Sequence, residues 1–270
     1  MKISHPSIKQ QLDRLYARYN SREWVHPDPL EYLYHYPTLQ DREVVGLIAS
    51  SLAYGRVAQI LKSVSAVLKR MGASPYEFLR DATQTSLKSA FPDFKHRFTT
   101  AEELVTMLLG IKTVIGQYGN LYECFLSGFN RNDKTVLPGL SFLVKELSHG
   151  LNGHGNTLLP SPEKGSACKR LNLFLRWMVR EDHVDPGGWL EVHPRKLIVP
   201  LDTHMHRICS QLKLTSRNSA GLLTAMEITQ AFLKIVPEDP VRYDFALTRL
   251  GIRKDAPISG LNAIGVRCKV

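Results

Sequence analysis

The sequence of 270 residues has few cysteines and no long apolar run. Its four cysteines, Cys124, Cys168, Cys209 and Cys268, are scattered and never form a Cys-x-x-Cys pair. Their spacing fits neither a zinc site nor an iron–sulfur cluster, and free thiols in a reducing compartment are the simplest interpretation. The sequence has no apolar stretch of the roughly 18 residues that a membrane helix needs, and its first residues lack a signal-peptide core. We therefore expect a soluble, cytoplasmic protein without a membrane partner, metal or cofactor.

Acidic residues are also in short supply, with 25 against 35 basic residues and a formal net charge of +10. Such a surplus favours a polyanionic partner, either nucleic acid or an anionic membrane surface. Internal repeats and low-complexity segments are missing too, which excludes a solenoid. With 43% hydrophobic residues, the chain can bury a full core as one large domain or two closely packed lobes.

Helical periodicity dominates what the sequence does contain. Nearly every long segment repeats its apolar residues at the spacing of a helix, and the β-branched runs are too short to build a sheet. The sequence therefore predicts an all-α protein. We expect residues 53–56 to break a long helical region that covers residues 41–71. Thr100 is expected to cap one later helix, and either Asn218 or Ser219 another.

Two predicted helix starts carry residues with chemical potential. An amphipathic helix continuing to Arg180 has Lys169 on its first turn, and a second helix after residue 202 has Asp202 as its cap. A lysine becomes a nucleophile as the neutral amine, which the positive end of a helix favours. A capping aspartate stays ionised, so it can orient the lysine, accept a proton or stabilise positive charge on a sugar ring.

Each residue also has a simpler explanation. An aspartate before an apolar-periodic helix is far more often a structural cap than a catalyst, and a single helical lysine is usually a solvated surface group. Residue chemistry alone leaves both alternatives open.

Both helix starts resemble one known family. Residues 199–207, Val-Pro-Leu-Asp-Thr-His-Met-His-Arg, are similar to the Val-Asp-Thr-His-x-x-Arg-Val segment of helix-hairpin-helix DNA glycosylases of the endonuclease III superfamily. Residues 165–172, Gly-Ser-Ala-Cys-Lys-Arg-Leu-Asn, resemble that family's Gly-Val-Gly-Arg-Lys-Thr-Ala-Asn. The resemblance implies that Asp202 is the catalytic aspartate and that Lys169 is the lysine that attacks the sugar C1′ in bifunctional members.

Two further segments extend the resemblance over most of residues 40–250. Residues 43–53 look like the segment that opens the family's helical barrel, and residues 94–98 are similar to an aromatic and basic tract of the 8-oxoguanine branch. Asp202 follows Lys169 by 33 positions, a spacing closer to the archaeal 8-oxoguanine glycosylases than to endonuclease III. The whole sequence resembles still more closely a bacterial family known only as a domain of unknown function.

The glycosylase resemblance implies a two-lobed fold with its active site between the lobes. Residues 40–198 would form the helical-barrel lobe with Lys169, and residues 1–39 plus 199–270 the second lobe with Asp202. The implied activity is a DNA N-glycosylase with abasic-site lyase activity, and an oxidised purine such as 8-oxoguanine is the best guess for its substrate. The implied partner is double-stranded DNA with a damaged base, bound by a monomer associated with the nucleoid.

The sequence departs from the family at two places. The family hairpin Leu-Pro-Gly-Val-Gly is replaced by Leu-Pro-Ser-Pro-Glu-Lys-Gly at residues 159–165, so the hairpin is altered. The Leu-Pro-Gly at residues 137–139 is not that hairpin, because Leu143 occupies the position that should hold the lysine. Leu52 falls where the family has a gap-filling glutamine, so an apolar wedge is expected there or none.

The remaining candidates are contacts to DNA or to the flipped base. In the loop at residues 181–197, Asp185 and Trp189 either line the base pocket or belong to a Pro-Gly-Gly turn with a packing tryptophan. His204 and His206 lie two positions apart on a helix and point to different sides, so shared metal ligation is poor. The full set of candidate contacts is Gly165, Ser166, Arg170, His204, Leu52, Tyr54, Arg56, Phe94, Arg97, Asp185 and Trp189.

Two other classes of function remain open from the sequence. A non-catalytic DNA- or RNA-binding protein that keeps the glycosylase fold would have the same charge surplus, and it would bind nucleic acid in a salt-dependent manner without releasing a base. A protein-interaction scaffold would have little affinity for nucleic acid.

Overall fold

The computed structural model of the protein describes residues 7–149 and 156–252, with side chains up to Arg249. The Gly-rich stretch around residue 153, the basic tail from residue 253 and Cys268 lie outside the described residues, as do both ends of the expected second lobe. The described chain is mostly helical, which confirms the all-α class. None of its helices is long and apolar enough to span a membrane.

Twelve α-helices account for most of this described part, and a single hairpin interrupts them. The helices are α1 (Ile8–Tyr19), α2 (Leu39–Ser51), α3 (Val57–Met71), α4 (Pro75–Asp81), α5 (Gln84–Ala90), α6 (Ala101–Tyr118), α7 (Leu121–Ser127), α8 (Leu137–Leu147), α9 (Lys169–Val179), α10 (Thr203–Gln211), α11 (Leu222–Ile235) and α12 (Asp244–Ile252). The strands β1 (Lys95–His96) and β2 (Thr99–Thr100) pair antiparallel. Short 3-10 helices occupy Arg22–Trp24, Pro29–His35, Pro162–Lys164 and Pro194–Lys196.

Local capping chemistry fixes several helix starts where the sequence predicts them. The Thr100 hydroxyl accepts from the backbone N–H of Glu103, whose side chain accepts from Thr100 in return. The predicted cap of α11 is wrong, because Gly221 precedes that helix without a side-chain cap. The backbone N–H of Leu222 instead donates to the carbonyl oxygen of Gly165 at 3.2 Å. The loop before α9 therefore supplies a partner for the start of α11.

Helix α2 lies at the centre of the core. Its residues from Glu43 to Ser51 are all buried, as expected of a helix surrounded on every side. It packs against α9 through Gly46, where an added Cβ would lie 3.3 Å from the ring of Phe174. The chain breaks after α2 as predicted, and Gly55 takes a positive φ of 95° before α3 begins.

Glu43 is a buried carboxyl group that ties α2 to two other segments. Its Oε1 accepts from the indole N–H of Trp189 at 2.9 Å, and its Oε2 accepts from the backbone N–H of Leu121 at 2.9 Å. Trp189 also stacks on the ring of Tyr122, with ring centroids 5.1 Å apart. Burial raises the pKa of Glu43 to about 7, against the opposing effect of these donors.

The loop after α9 is held by a buried ion network. Asp185 is fully buried and accepts from the guanidinium groups of both Arg176 and Arg180. Arg176 also donates to Asp244 of α12 at 2.5 Å, and Arg180 donates to Asp239 at 2.9 Å. The expectation that Asp185 and Trp189 line a base pocket is therefore corrected, because the structure places both side chains in the interior.

This network predicts the effect of removing its central carboxylate. Asp185→Ala leaves Arg176 and Arg180 without their shared partner, so the free energy of unfolding should fall by about 3–5 kcal/mol. Urea unfolding at neutral pH measures the change. The exposed pair Arg131–Glu191 is the matched control, and Glu191→Ala should cost less than about 1 kcal/mol. Equal losses in the two variants would show that the buried network does not stabilise the fold.

Glu43 predicts a pH dependence of stability. Its pKa is raised from the ordinary value of 4.5 to about 7, so between these values the folded state holds a proton that the unfolded state has released. The free energy of unfolding should therefore fall as pH rises through this window, by an amount on the order of 3 kcal/mol. Glu43→Gln cannot titrate and should lose this part of the fall. Urea unfolding at pH 5 and pH 8 tests it, and an equal fall in both proteins would contradict the assignment.

Candidate active site

The turn before α9 places Lys169 at the first position of that helix. Cys168 caps the helix with a left-handed backbone, at φ 44°. Its backbone N–H donates to the Ser166 hydroxyl at 3.2 Å, and its thiol donates to the carbonyl oxygen of Pro160 at 3.4 Å. The Asn172 side chain donates to the carbonyl oxygen of Ala167 at 2.9 Å. These contacts hold the turn in a conformation that a non-glycine residue adopts only at a cost.

Arg170 connects this turn to the end of α2. Its guanidinium donates to the carbonyl oxygen of Ser51 at 2.7 Å and also to that of Thr157. The same group lies over the ring of Tyr54, 5.1 Å from the ring centroid. Arg170 therefore fixes the first turn of α9 against the segment between α2 and α3.

Asp202 caps α10 as predicted and also lies next to Lys169. Its Oδ1 accepts from the backbone N–H of Met205 at 2.8 Å, which leaves Oδ2 free of the cap. That second oxygen is 3.4 Å from Lys169 Nζ. The two side chains are 31% and 37% exposed, so the pair is open to solvent on one side. The structure thus brings together the two helix starts that the sequence singled out.

Both residues line a cleft with a volume of about 590 Å³. This is within the usual size of a small-molecule site, roughly 300–1,000 Å³. One wall comes from residues 53–55 with Val57 and another from residues 27–29, while Arg249 lines the cleft from α12. The charged groups in the lining are Lys169, Arg170, Arg249, Asp28 and Asp202.

The other candidates from the sequence divide into three groups. Tyr54, Ser166 and Arg170 line the cleft together with the lysine and the aspartate. Gly165, Arg56, Arg97 and His204 lie next to lining residues in sequence or in contact with them, but the cleft lining found among the described residues does not include them. Leu52 and Phe94 are buried in the core, which corrects the expectation that Leu52 acts as a wedge.

His204 is partly buried beside the cleft helix α10. Its Nδ1 accepts from the guanidinium of Arg207 at 3.2 Å. Burial lowers the pKa of His204 against the opposing effect of Asp202, and the nearby Arg207 and Lys169 lower it further. The neighbouring His206 contacts the carbonyl oxygen of Arg217 instead. Within residues 7–149 and 156–252, no cluster of three His, Cys, Asp or Glu residues could hold a metal ion.

A short hairpin beside the cleft presents an exposed aromatic ring that sequence reasoning missed. Phe98, at the turn between β1 and β2, is 78% exposed. The Tyr54 hydroxyl donates to the carbonyl oxygen of His96 at 2.8 Å, and its oxygen lies 2.6 Å from Thr99 Oγ1. Arg97 takes a left-handed backbone, and its guanidinium lies over the rings of both Tyr54 and Phe98. The hairpin is therefore braced by a residue of the cleft wall.

Asp28 and Arg249 are also functional candidates that the sequence did not indicate. They lie 221 positions apart, and no local pattern connects them, because they meet only in the folded chain. For Phe98, the aromatic and basic tract at residues 94–98 was the available signal, although periodicity could not show which ring would face solvent.

Comparison with known proteins shows the family to which the chain belongs. Neither the curated proteins nor the solved structures contain a significant match to the chain. One family model, described as a protein of unknown function (DUF2400), matches residues 28–253 and so covers all of the described cleft lining except Pro27. Because this match spans most of the sequence, the chain belongs to the DUF2400 family.

Proposed function

We propose that this protein is a DNA glycosylase of the helix-hairpin-helix type with abasic-site lyase activity. The observation that carries the proposal is the pairing of Lys169 Nζ with Asp202 Oδ2, 3.4 Å apart in an open cleft. In the proposed two-lobed arrangement, residues 40–198 carry the lysine and the flanking segments carry the aspartate. The proposed substrate is an oxidised purine such as 8-oxoguanine, excised by a monomer from duplex DNA of the nucleoid in the cytoplasm.

The proposed reaction uses both members of the pair. Lys169 must lose a proton before it attacks, and Asp202 Oδ2 is the adjacent base that can accept it. The amine then forms a bond to C1′ of the sugar, and the damaged base departs with the electrons of the glycosidic bond. Asp202 passes the proton to the departing base and, ionised again, stabilises the positive charge at the sugar. The C1′–O4′ bond then breaks as a proton moves from the attached nitrogen to O4′, which leaves a protonated Schiff base. Loss of a C2′ proton from the resulting Schiff base expels the 3′ phosphate and nicks the strand.

The surface beside the cleft is suited to a nucleic-acid strand. Arg56, Lys95 and Arg97 are exposed near the hairpin and can contact phosphates, which supply most of the affinity for DNA. Phe98 is exposed and lies under the guanidinium of Arg97, and its ring can insert where a flipped base leaves a gap. This ring is the proposed wedge, since Leu52, where the sequence predicted an apolar wedge or none, is buried.

Lys169→Ala tests the nucleophile directly. Borohydride reduction of the wild-type reaction with lesion-containing duplexes should trap a covalent protein–DNA adduct. The variant should form none, because Lys169 supplies the amine that pairs with the capping aspartate in the described part of the chain. Lys164→Ala is the matched control, since Lys164 is exposed in the preceding turn and is not part of the described cleft lining. Asp202→Asn should slow excision by roughly 100-fold or more.

Two results would refute the assignment in different ways. An adduct with Lys169→Ala equal to the wild-type adduct would move the nucleophile to another residue. If no lesion traps the wild-type protein, the catalytic proposal fails. Salt-dependent duplex binding that Asp202→Asn leaves intact would then identify a non-catalytic nucleic-acid-binding protein.

Phe98→Ala tests the role of the hairpin. Stacking of an aromatic ring on a base is worth about 1–3 kcal/mol, so excision from a duplex should slow by roughly 5- to 100-fold. The fluorescence of 2-aminopurine next to the lesion should rise on binding of wild-type protein and rise less with the variant. Leu190→Ala removes another highly exposed apolar side chain and serves as the control. If the two variants excise the base at the same rate, the hairpin does not act as a wedge.

A further inference from the structure

A second ion pair, Asp28 with Arg249, lies in the same cleft. Asp28 caps the 3-10 helix Pro29–His35, where its Oδ1 accepts from the backbone N–H of Leu30 at 3.0 Å. Its Oδ2 accepts from the guanidinium of Arg249 at 2.5 Å. That guanidinium also donates to the carbonyl oxygen of Val25 at 3.3 Å. The carboxylate is therefore held in one orientation by donors from the opposite ends of the described chain.

The pair differs from the buried network around Arg176 in its access to the cleft. The side chain of Asp28 is 18% exposed, while that of Arg249 is 2% exposed. Each carboxylate oxygen can accept two hydrogen bonds, and the described residues supply one to each oxygen. Both oxygens thus keep one accepting position, and Asp28 borders the cleft with Pro27 and Pro29 on either side. These prolines restrict the backbone that presents the carboxylate.

The two accepting oxygens of Asp28 favour a ligand that donates hydrogen bonds. A phosphate would be repelled by a carboxylate, whereas a neutral group with two adjacent N–H donors would be bound by both oxygens. Among nucleobases, guanine and its oxidised forms offer such an edge, with N1–H beside the 2-amino group. Adenine and cytosine place an amino group beside an acceptor nitrogen, and thymine and uracil place one N–H between two carbonyl oxygens.

We propose that Asp28 is the specificity-determining residue of the cleft, where it accepts hydrogen bonds from the N1–H and 2-amino groups of a flipped guanine-type base. Arg249 is a positioning residue that orients the carboxylate without touching the base. This inference rests on the proposed glycosylase function and adds to it the class of base and the residue that recognises it. It also explains why 8-oxoguanine would be the substrate. Lys169 and Asp202 do not explain this choice of base, because they act on the sugar.

The test compares 8-oxoguanine with 8-oxohypoxanthine, which lacks the 2-amino group, each opposite cytosine in the same duplex. Under single-turnover conditions, wild-type protein should excise 8-oxoguanine at least tenfold faster, since a hydrogen bond to a charged group contributes about 1.5–3 kcal/mol. Asp28→Asn keeps the shape of the side chain and an acceptor for Leu30 but loses one of the two accepting oxygens. Its preference between the two bases should fall towards one.

Glu31→Gln is the matched control. Glu31 belongs to the same 3-10 helix and pairs with His26 at 2.8 Å, and the described cleft lining does not include it. This variant should keep the wild-type preference. A purely structural role of Asp28 would lower the unfolding temperature of Asp28→Asn and leave its preference between the bases unchanged, which would overturn the proposal.

Borohydride trapping on a preformed abasic site separates this inference from the proposed function. If the wild-type protein forms an adduct there and excises both bases at equal rates, the assignment of Asp28 is wrong while the catalytic pair stands. If it forms no adduct with the abasic site or with either lesion, the proposed function itself fails. Because the wild-type comparison needs no substitution, equal rates for the two bases would overturn the assignment of Asp28 even if Asp28→Asn does not fold.

Discussion

The ion network around Arg176 and Arg180 fixes the position of α9, and the geometry of the cleft depends on that position. Arg176 lies on the second half of the helix and Arg180 caps its C-terminal end. Both are buried and bind aspartates from the following loop, from the segment at Asp239 and from α12. A buried charge that loses its partner is costly, so the helix cannot slide or rotate without breaking several ion pairs. The first turn of α9 therefore projects Lys169 into the cleft from a rigid base.

The two ends of α9 differ in their exposure to solvent. The C-terminal half contributes ion pairs from which water is excluded. The N-terminal turn instead leaves Lys169 beside Asp202 with about a third of each side chain in solvent, where an ion pair adds little stability. Cys168 adds the cost of a left-handed backbone at the junction. The buried ion pairs of the C-terminal half thus offset the cost of the left-handed Cys168 backbone, and the exposed Lys169–Asp202 pair itself adds little to stability.

How much of this could be read from the sequence depends on the range of the interaction. The caps at Thr100 and Asp202 were predictable because a side chain and a backbone N–H three positions away determine them. The encounter of Lys169 with Asp202 needed a family resemblance, since no local rule relates residues on different helices. The interior positions of Leu52, Asp185 and Trp189 and the pairing of Asp28 with Arg249 depend on tertiary packing, which periodicity does not encode.

The carbonyl oxygen of Gly165 has one more consequence for the molecule. It accepts the first N–H of α11, so the loop that carries Lys169 completes a helix that begins more than fifty residues later in the chain. Any opening of that loop must also fray the start of α11. The two segments therefore behave as one cooperative unit, and the energy needed to move the lysine is set partly by a helix that contains neither Lys169 nor Asp202.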